Sequence, residues 1–134
     1  MLRMAIAAAA LCLASQSVYC NQVSNQEETM ESTPQYLYKI LSAEDWKKSQ
    51  DLNSVILSSA DADFIHFSKE DQVDRIVSKY WSQNSSYVIL KVEAAKLPGK
   101  MVFEANPGGA SKYYHLYDGS IPLNAIAEWK LFSK

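Results

Sequence analysis

The chain predicts an α+β fold, a single small domain with a mostly antiparallel sheet and two short helices. Three observations carry that expectation. Extended runs rich in aromatic and β-branched residues outnumber helical patterns: "YLYKIL", "FIHF", "YVILKVEA", "MVFEA" and "KYYHLY". Apolar residues at clear helical spacing occur in one stretch, Val73, Ile76, Val77, Tyr80 and Trp81, which fits positions i, i+3, i+4, i+7 and i+8. The connections after "YVILKVEA" are short and hold Pro and Gly, as hairpins require.

The N-terminus reads "MLRMAIAAAALCLASQSVYCNQ", with Arg3 ahead of an apolar run from Ala5 to Ala14. That run is shorter than the about 20 residues of a bilayer helix and suits the core of a secretory signal. Residues 1–20 are therefore expected to be a signal peptide, cut after Ser17 or Cys20, leaving an exported protein, periplasmic or secreted, without a membrane span. A lipid anchor on Cys20 is the weaker alternative, because Tyr19 is too large for the residue that precedes an acylated cysteine. Intact-mass measurement of exported material should find a start between Val18 and Asn21 and no disulfide. Material that keeps Met1 would refute this maturation.

Residues 21–35 are polar and acidic and read as a flexible lead-in. The folded domain is expected over 36–134, about 100 residues with room for one core. Both cysteines, Cys12 and Cys20, precede it, so packing alone must hold it together. Its two histidines, His66 and His115, are too few and too far apart for a ligand-spacing motif, so no metal site is expected. Beyond Arg3 there is one arginine, Arg75, and the lysines are scattered. Such a chain has no polyanion footprint, which excludes nucleic acid as the expected partner. A monomer with a small-molecule or nucleotide ligand is expected instead.

Within the domain, "YLYKIL" predicts the first strand, Tyr36 to Leu41. Ser42 with Asp45 three residues on predicts a capped helix start, and Trp46 anchors that helix. Val55 to Leu57 predicts a short extended piece, and Ala60 to Asp63 a turn. "FIHF" predicts an interior strand, since bulk lies on both faces: Ile65 and Phe67 on one, Phe64, His66 and Ser68 on the other. Ser68 with Asp71 predicts a second helix cap, and Lys69 to about Trp81 the helix, with Val73, Ile76, Val77 and Trp81 as its buried face. "YVILKVEA", "MVFEA" and "KYYHLY" predict three strands, and "IPLNAIAEWKLF" a turn and a last strand. "NPGGASK" lacks the glycine spacing and following helix of a phosphate cradle, so it reads as an ordinary loop.

Alternation selects the candidate site. Tyr113, His115 and Tyr117 share one face of their strand, and Glu104 points away from Phe103 on the preceding one. His66 faces either a packed layer, where it needs a hydrogen-bond partner, or a cleft. Tyr and His together suit either a stacking cleft or the wet rim of a small core. No Ser–His–Asp or Cys–His arrangement is present in a recognisable turn.

The run "LYKIL", "AEDW", "ADFIHFS", "EDQV", "VILKVEAAKL", "FEA", "HLY" and "IPLNAI" resembles the bacterial domain-of-unknown-function family 952, in the right order from Leu37 to near the C-terminus. That family resembles the ADP-ribosyltransferase fold and, more distantly, the NAD-using RNA 2′-phosphotransferases. The resemblance implies an ADP-ribosyltransferase-like fold and a nucleotide ligand, with NAD as the implied cofactor. His66 and Ser68 fall on the last histidine and serine of the phosphotransferase "HVHLS" motif. Lys39 falls where those enzymes carry an NAD-contacting histidine, and their phosphate-gripping arginines have no counterpart. The implied ligand-binding set is Lys39, His66, Ser68, Tyr113, His115 and Tyr117. Glu104, on a late strand, and His66 are the implied catalytic residues. Two functions follow: an exported enzyme-like domain that binds a nucleotide and transfers or hydrolyses ADP-ribose, or a binding module that kept the fold without the chemistry.

Overall fold

A computed structural model describes residues 32–134. The segment expected to be the signal peptide, with both cysteines and most of the lead-in, lies outside the described residues. The chain from Thr33 to Lys134 forms one compact unit. It holds β1 (Tyr36–Leu41), α1 (Ala43–Ser49), β2 (Ile65–Phe67), α2 (Val73–Ile76), β3 (Ser86–Glu93), β4 (Lys100–Ala105), β5 (Lys112–Tyr117) and β6 (Ile126–Ser133). The α+β expectation holds, with all strand pairings antiparallel.

The strands make two three-stranded sheets, ordered β1-β3-β6 and β2-β5-β4. They meet where the edge strands β1 and β2 touch: Tyr38 N–H donates to Ser68 O and Ser68 N–H donates to Tyr38 O, each at 2.8 Å. β3 behaves as its alternation demands. Val88, Leu90 and Val92 are fully buried while the residues between them are half-buried. They join Leu37, Leu41, Ile65, Phe67, Tyr114 and Leu116 in one core. α1 closes one end of that core with Trp46, and Ser42 caps it by accepting from Asp45 N–H at 3.0 Å. The turn at Gly99 needs glycine: its φ is +120°, and a Cβ there would lie 2.6 Å from Tyr117 O.

Two local expectations are corrected. Val55 is buried and its N–H donates to Ile121 O, but Val55 to Leu57 form no strand. Ser68 is not a helix cap, because its backbone is committed to the bridge with Tyr38. The helical segment starts instead at a 3₁₀ turn, Glu70–Gln72, where the Gln72 side chain accepts from Lys69 N–H at 2.9 Å. It runs through α2 into a π turn, Val77–Trp81. The helix predicted by periodicity is present, but Val73, Ile76, Val77 and Trp81 are half-buried, not buried. The reason is placement. This helix is tethered to the β4–β5 loop, by Gln72 Nε2 to Lys112 O at 2.8 Å and Arg75 Nη1 to Ser111 Oγ at 3.3 Å, and its apolar side overhangs a cleft. Among the described residues no helix is long and apolar enough to cross a membrane.

Candidate functional site

His66 stands directly opposite His115 across the β2–β5 ladder, and Val102 stands opposite His115 on the far side. Residues paired directly across an antiparallel ladder share a face. One face of this sheet therefore carries Phe64, His66, Tyr113, His115, Tyr117 and Glu104, while Ile65, Phe67, Tyr114 and Leu116 go to the core. The two imidazole centroids are 5.2 Å apart. Phe64 packs over both, 4.8 Å from His66 and 4.1 Å from His115, and lies 5.2 Å from the Tyr117 ring.

The histidines nonetheless have different surroundings. His115 is fully buried, with Nδ1 3.0 Å from Glu104 Oε1 and Nε2 2.8 Å from Asn106 Oδ1. The Tyr117 hydroxyl donates to the same Glu104 oxygen. These hydrogen bonds, from Tyr117 first and then His115, hold the Glu104 carboxyl below its usual range, while the bond to Glu104 holds the Tyr117 phenol above its own. His66 keeps a side chain 39% exposed, and Nδ1 lies 3.0 Å from Asp61 Oδ1.

Asp61 ties this corner together. The 3₁₀ turn Ser59–Asp61, capped by Ser58, folds the chain back so that the carboxylate meets the start of β2. It accepts from His66 N–H at 3.0 Å, and both of its oxygens accept from Lys39 Nζ at 2.8 Å. Burial alone would push this carboxyl up. The hydrogen bonds from His66 and the charge and hydrogen bonds of Lys39 outweigh it and hold the pKa at about 2. Lys39 falls on the same face of β1 as Leu37 and Leu41 and is only 7% exposed. Burial pushes its ammonium down, and Asp61 offsets part of that. An ionised Asp61 only accepts, so His66 Nδ1 carries a hydrogen towards it, and in the neutral ring Nε2 then presents a lone pair.

His66 borders a cleft of about 460 Å³. Tyr38, Tyr80, Trp81, Tyr113 and Pro107 form its apolar walls; Lys39, Asp61, His66, Ser68 and Asn106 supply its polar groups. Its volume is within the ordinary range for a small ligand. Of the residues singled out from sequence, Lys39, His66, Ser68 and Tyr113 line the cleft together. His115, Tyr117 and Glu104 lie beside it as a hydrogen-bonded support behind Phe64 and do not line it. Reading the sequence alone misses Asp61, which lies five residues ahead of His66. The acid and a turn at Ala60 to Asp63 were both legible, but not that the turn returns the carboxylate to β2 and Lys39. It also misses Asn106, and it assigns Trp81 to the core. Among the described residues no group of three metal-ligating side chains comes together.

Comparison with known proteins bears on the fold and the family. No curated protein matches the chain. The crystal structure of protein CC0527 from Caulobacter crescentus is similar at 28% identity, with a TM-score of 0.61, over 71% of this chain and 83% of that one. Its solution NMR structure is similar at 29% identity and the same TM-score of 0.61, over 72% and 84%. The model of the family described as "Protein of unknown function (DUF952)" matches residues 40–129, from the end of β1 into β6, and includes every residue lining the cleft except Tyr38 and Lys39. The chain belongs to the DUF952 family.

Proposed function

We propose that this domain is a binding module for a nucleoside- or nucleotide-class ligand, which places its ring in the aromatic part of the cleft and is read along one edge by His66. The observation that carries the proposal is the Asp61-held imidazole, with Nε2 free of any partner among the described residues, on a cleft walled by Tyr38, Tyr80, Trp81 and Tyr113. Aromatic walls suit a planar ring, and a fixed acceptor suits a ring N–H or a sugar hydroxyl. The resemblance to the ADP-ribosyltransferase fold and the RNA 2′-phosphotransferases supports a nucleotide, NAD included. Two features favour binding over ADP-ribosyl transfer. Glu104 is held by His115 and Tyr117 and does not line the cleft. Lys39, the cation nearest His66 in the lining, is already neutralised by Asp61, so little positive charge remains to grip a diphosphate.

The Asp61–His66 pair favours a second reading, in which Nε2 takes a proton from a bound hydroxyl or water and the module hydrolyses its ligand. An exported location remains part of the proposal and rests on residues 1–20. Calorimetric titration of the full chain with adenosine, AMP, ADP-ribose and NAD tests the reading, with chromatography of the mixtures to detect products. At least one of these should bind, and His66→Ala should weaken it tenfold or more while lowering the melting temperature by no more than about 4–8 °C. Absence of binding by all four, or unaltered binding by His66→Ala, would overturn it.

A further inference from the structure

β6 is an edge strand of its sheet, and residues 127–134 are all exposed. It is also strongly apolar for an open edge: Trp129 is 51% exposed, Leu131 54% and Phe132 37%. Long apolar edges offer unpaired N–H and C=O groups to another strand, and proteins ordinarily shorten, charge or cover them. This one runs from Ile126 to Ser133, at the long end for strands.

The hydrogen-bond phase of the edge follows from one contact. Lys134 N–H donates to Ser85 O at 2.9 Å, so that opposed pair is a hydrogen-bonded one. Bonded pairs recur every second residue in an antiparallel ladder. Phe132 opposite Tyr87, Lys130 opposite Ile89 and Glu128 opposite Lys91 are then the pairs bonded to β3. Trp129, Leu131 and Ser133 must turn their N–H and C=O groups outward.

We propose that β6 pairs antiparallel with β6 of a second copy of this chain, about a two-fold axis through Trp129, joining two sheets into one of six strands. The charges favour this register: the next axis in hydrogen-bond phase, at Leu131, sets Lys130 against Phe132 and offers Glu128 only Lys134, which already bonds Ser85 and Ser82. With the axis at Trp129, Glu128 lies opposite Lys130 of the second copy and Lys130 opposite its Glu128, giving two cross-strand ion pairs. On the other face Trp129 meets Trp129, and Ala127 meets Leu131. Moving the axis to Glu128 or to Lys130 sets like charges against each other, which is destabilising. The outward hydrogen-bonding residues Trp129 and Leu131 fall in bonded positions in the selected register. Trp46, 5.5 Å from Trp129, then backs the paired tryptophans from within each copy. Such an interface is isologous, as two-fold dimers require. Such a dimer departs from the monomer expected from sequence.

Sedimentation of the full chain tests the proposal. Wild type should sediment at twice the 15.0 kDa chain mass. Glu128→Lys alone and Lys130→Glu alone should each weaken association tenfold or more, because each sets like charges opposite. The double swap Glu128→Lys with Lys130→Glu restores complementarity and should restore the dimer. Glu128→Lys disturbs the intrachain neighbour Lys91 equally in the single and double variants, so rescue reports the contact between copies. A monomeric wild type, association indifferent to both single swaps, or a double swap that fails to rescue would each overturn it. None of these outcomes bears on ligand binding in the cleft.

Discussion

Asp61→Ala should cost about 3–5 kcal/mol of folding stability in chemical denaturation, although Asp61 sits in a turn and not in the core. The reason is what it leaves behind. Lys39 is 7% exposed, on the face of β1 that carries Leu37 and Leu41, and its ammonium bonds both oxygens of Asp61. Without the carboxylate that charge is buried and unpaired, and the His66 ring and N–H lose their acceptor as well. The double variant Lys39→Met with Asp61→Ala should recover much of the loss, since an apolar side chain of similar length removes the uncompensated charge. A single variant that loses less than about 1 kcal/mol, the scale of an exposed pair, would show that solvent reaches this corner.

The same carboxylate sets an acid limit. Its pKa falls from an ordinary 3.8 to about 2 in the folded protein. A depressed folded pKa means that the unfolded state binds the proton more readily. The contribution, about 2 kcal/mol, is therefore fully present above about pH 4 and is lost as pH falls from about 4 towards 2. Asp61→Asn should flatten stability against pH in that window. An unchanged slope would assign acid sensitivity to other carboxylates.

His115→Ala should cost roughly 3–5 kcal/mol, and His66→Ala about 1 kcal/mol, although the two rings touch. His115 is fully buried with both ring nitrogens engaged, so its removal opens a cavity beneath Phe64 and strips partners from Glu104 and Asn106. His66 gives up one side-chain bond to an acid that keeps Lys39 and a backbone N–H. Thermal unfolding of the two variants side by side decides the matter. Equal losses would mean that the rings share one structural role and that His66 is not reserved for a ligand.

Strand periodicity was legible without coordinates. A strand has two faces and no freedom to mix them, so "FIHFS" and "KYYHLY" already separated Ile65 and Phe67 from His66, and Tyr114 and Leu116 from His115; which face meets the core came from the packing. The cap at Ser42 and the helix before "QNSS" were legible for the same reason: their signals are local. Burial of that helix was not, because periodicity marks an apolar side without saying whether a core or a cleft lies under it. Nor was the absence of a cap at Ser68, whose backbone is claimed by Tyr38, thirty positions away. Local chemistry therefore determined that His66 shares a face with Ser68 and Tyr113 shares one with His115, while Lys39 was named only through the resemblance. Only the tertiary structure decided how each is used. The pairing register set His115 beside Glu104, and the path of one turn gave Asp61 to both Lys39 and His66. Long-range register and loop path depend on packing between distant segments, and no local pattern in the sequence encodes them.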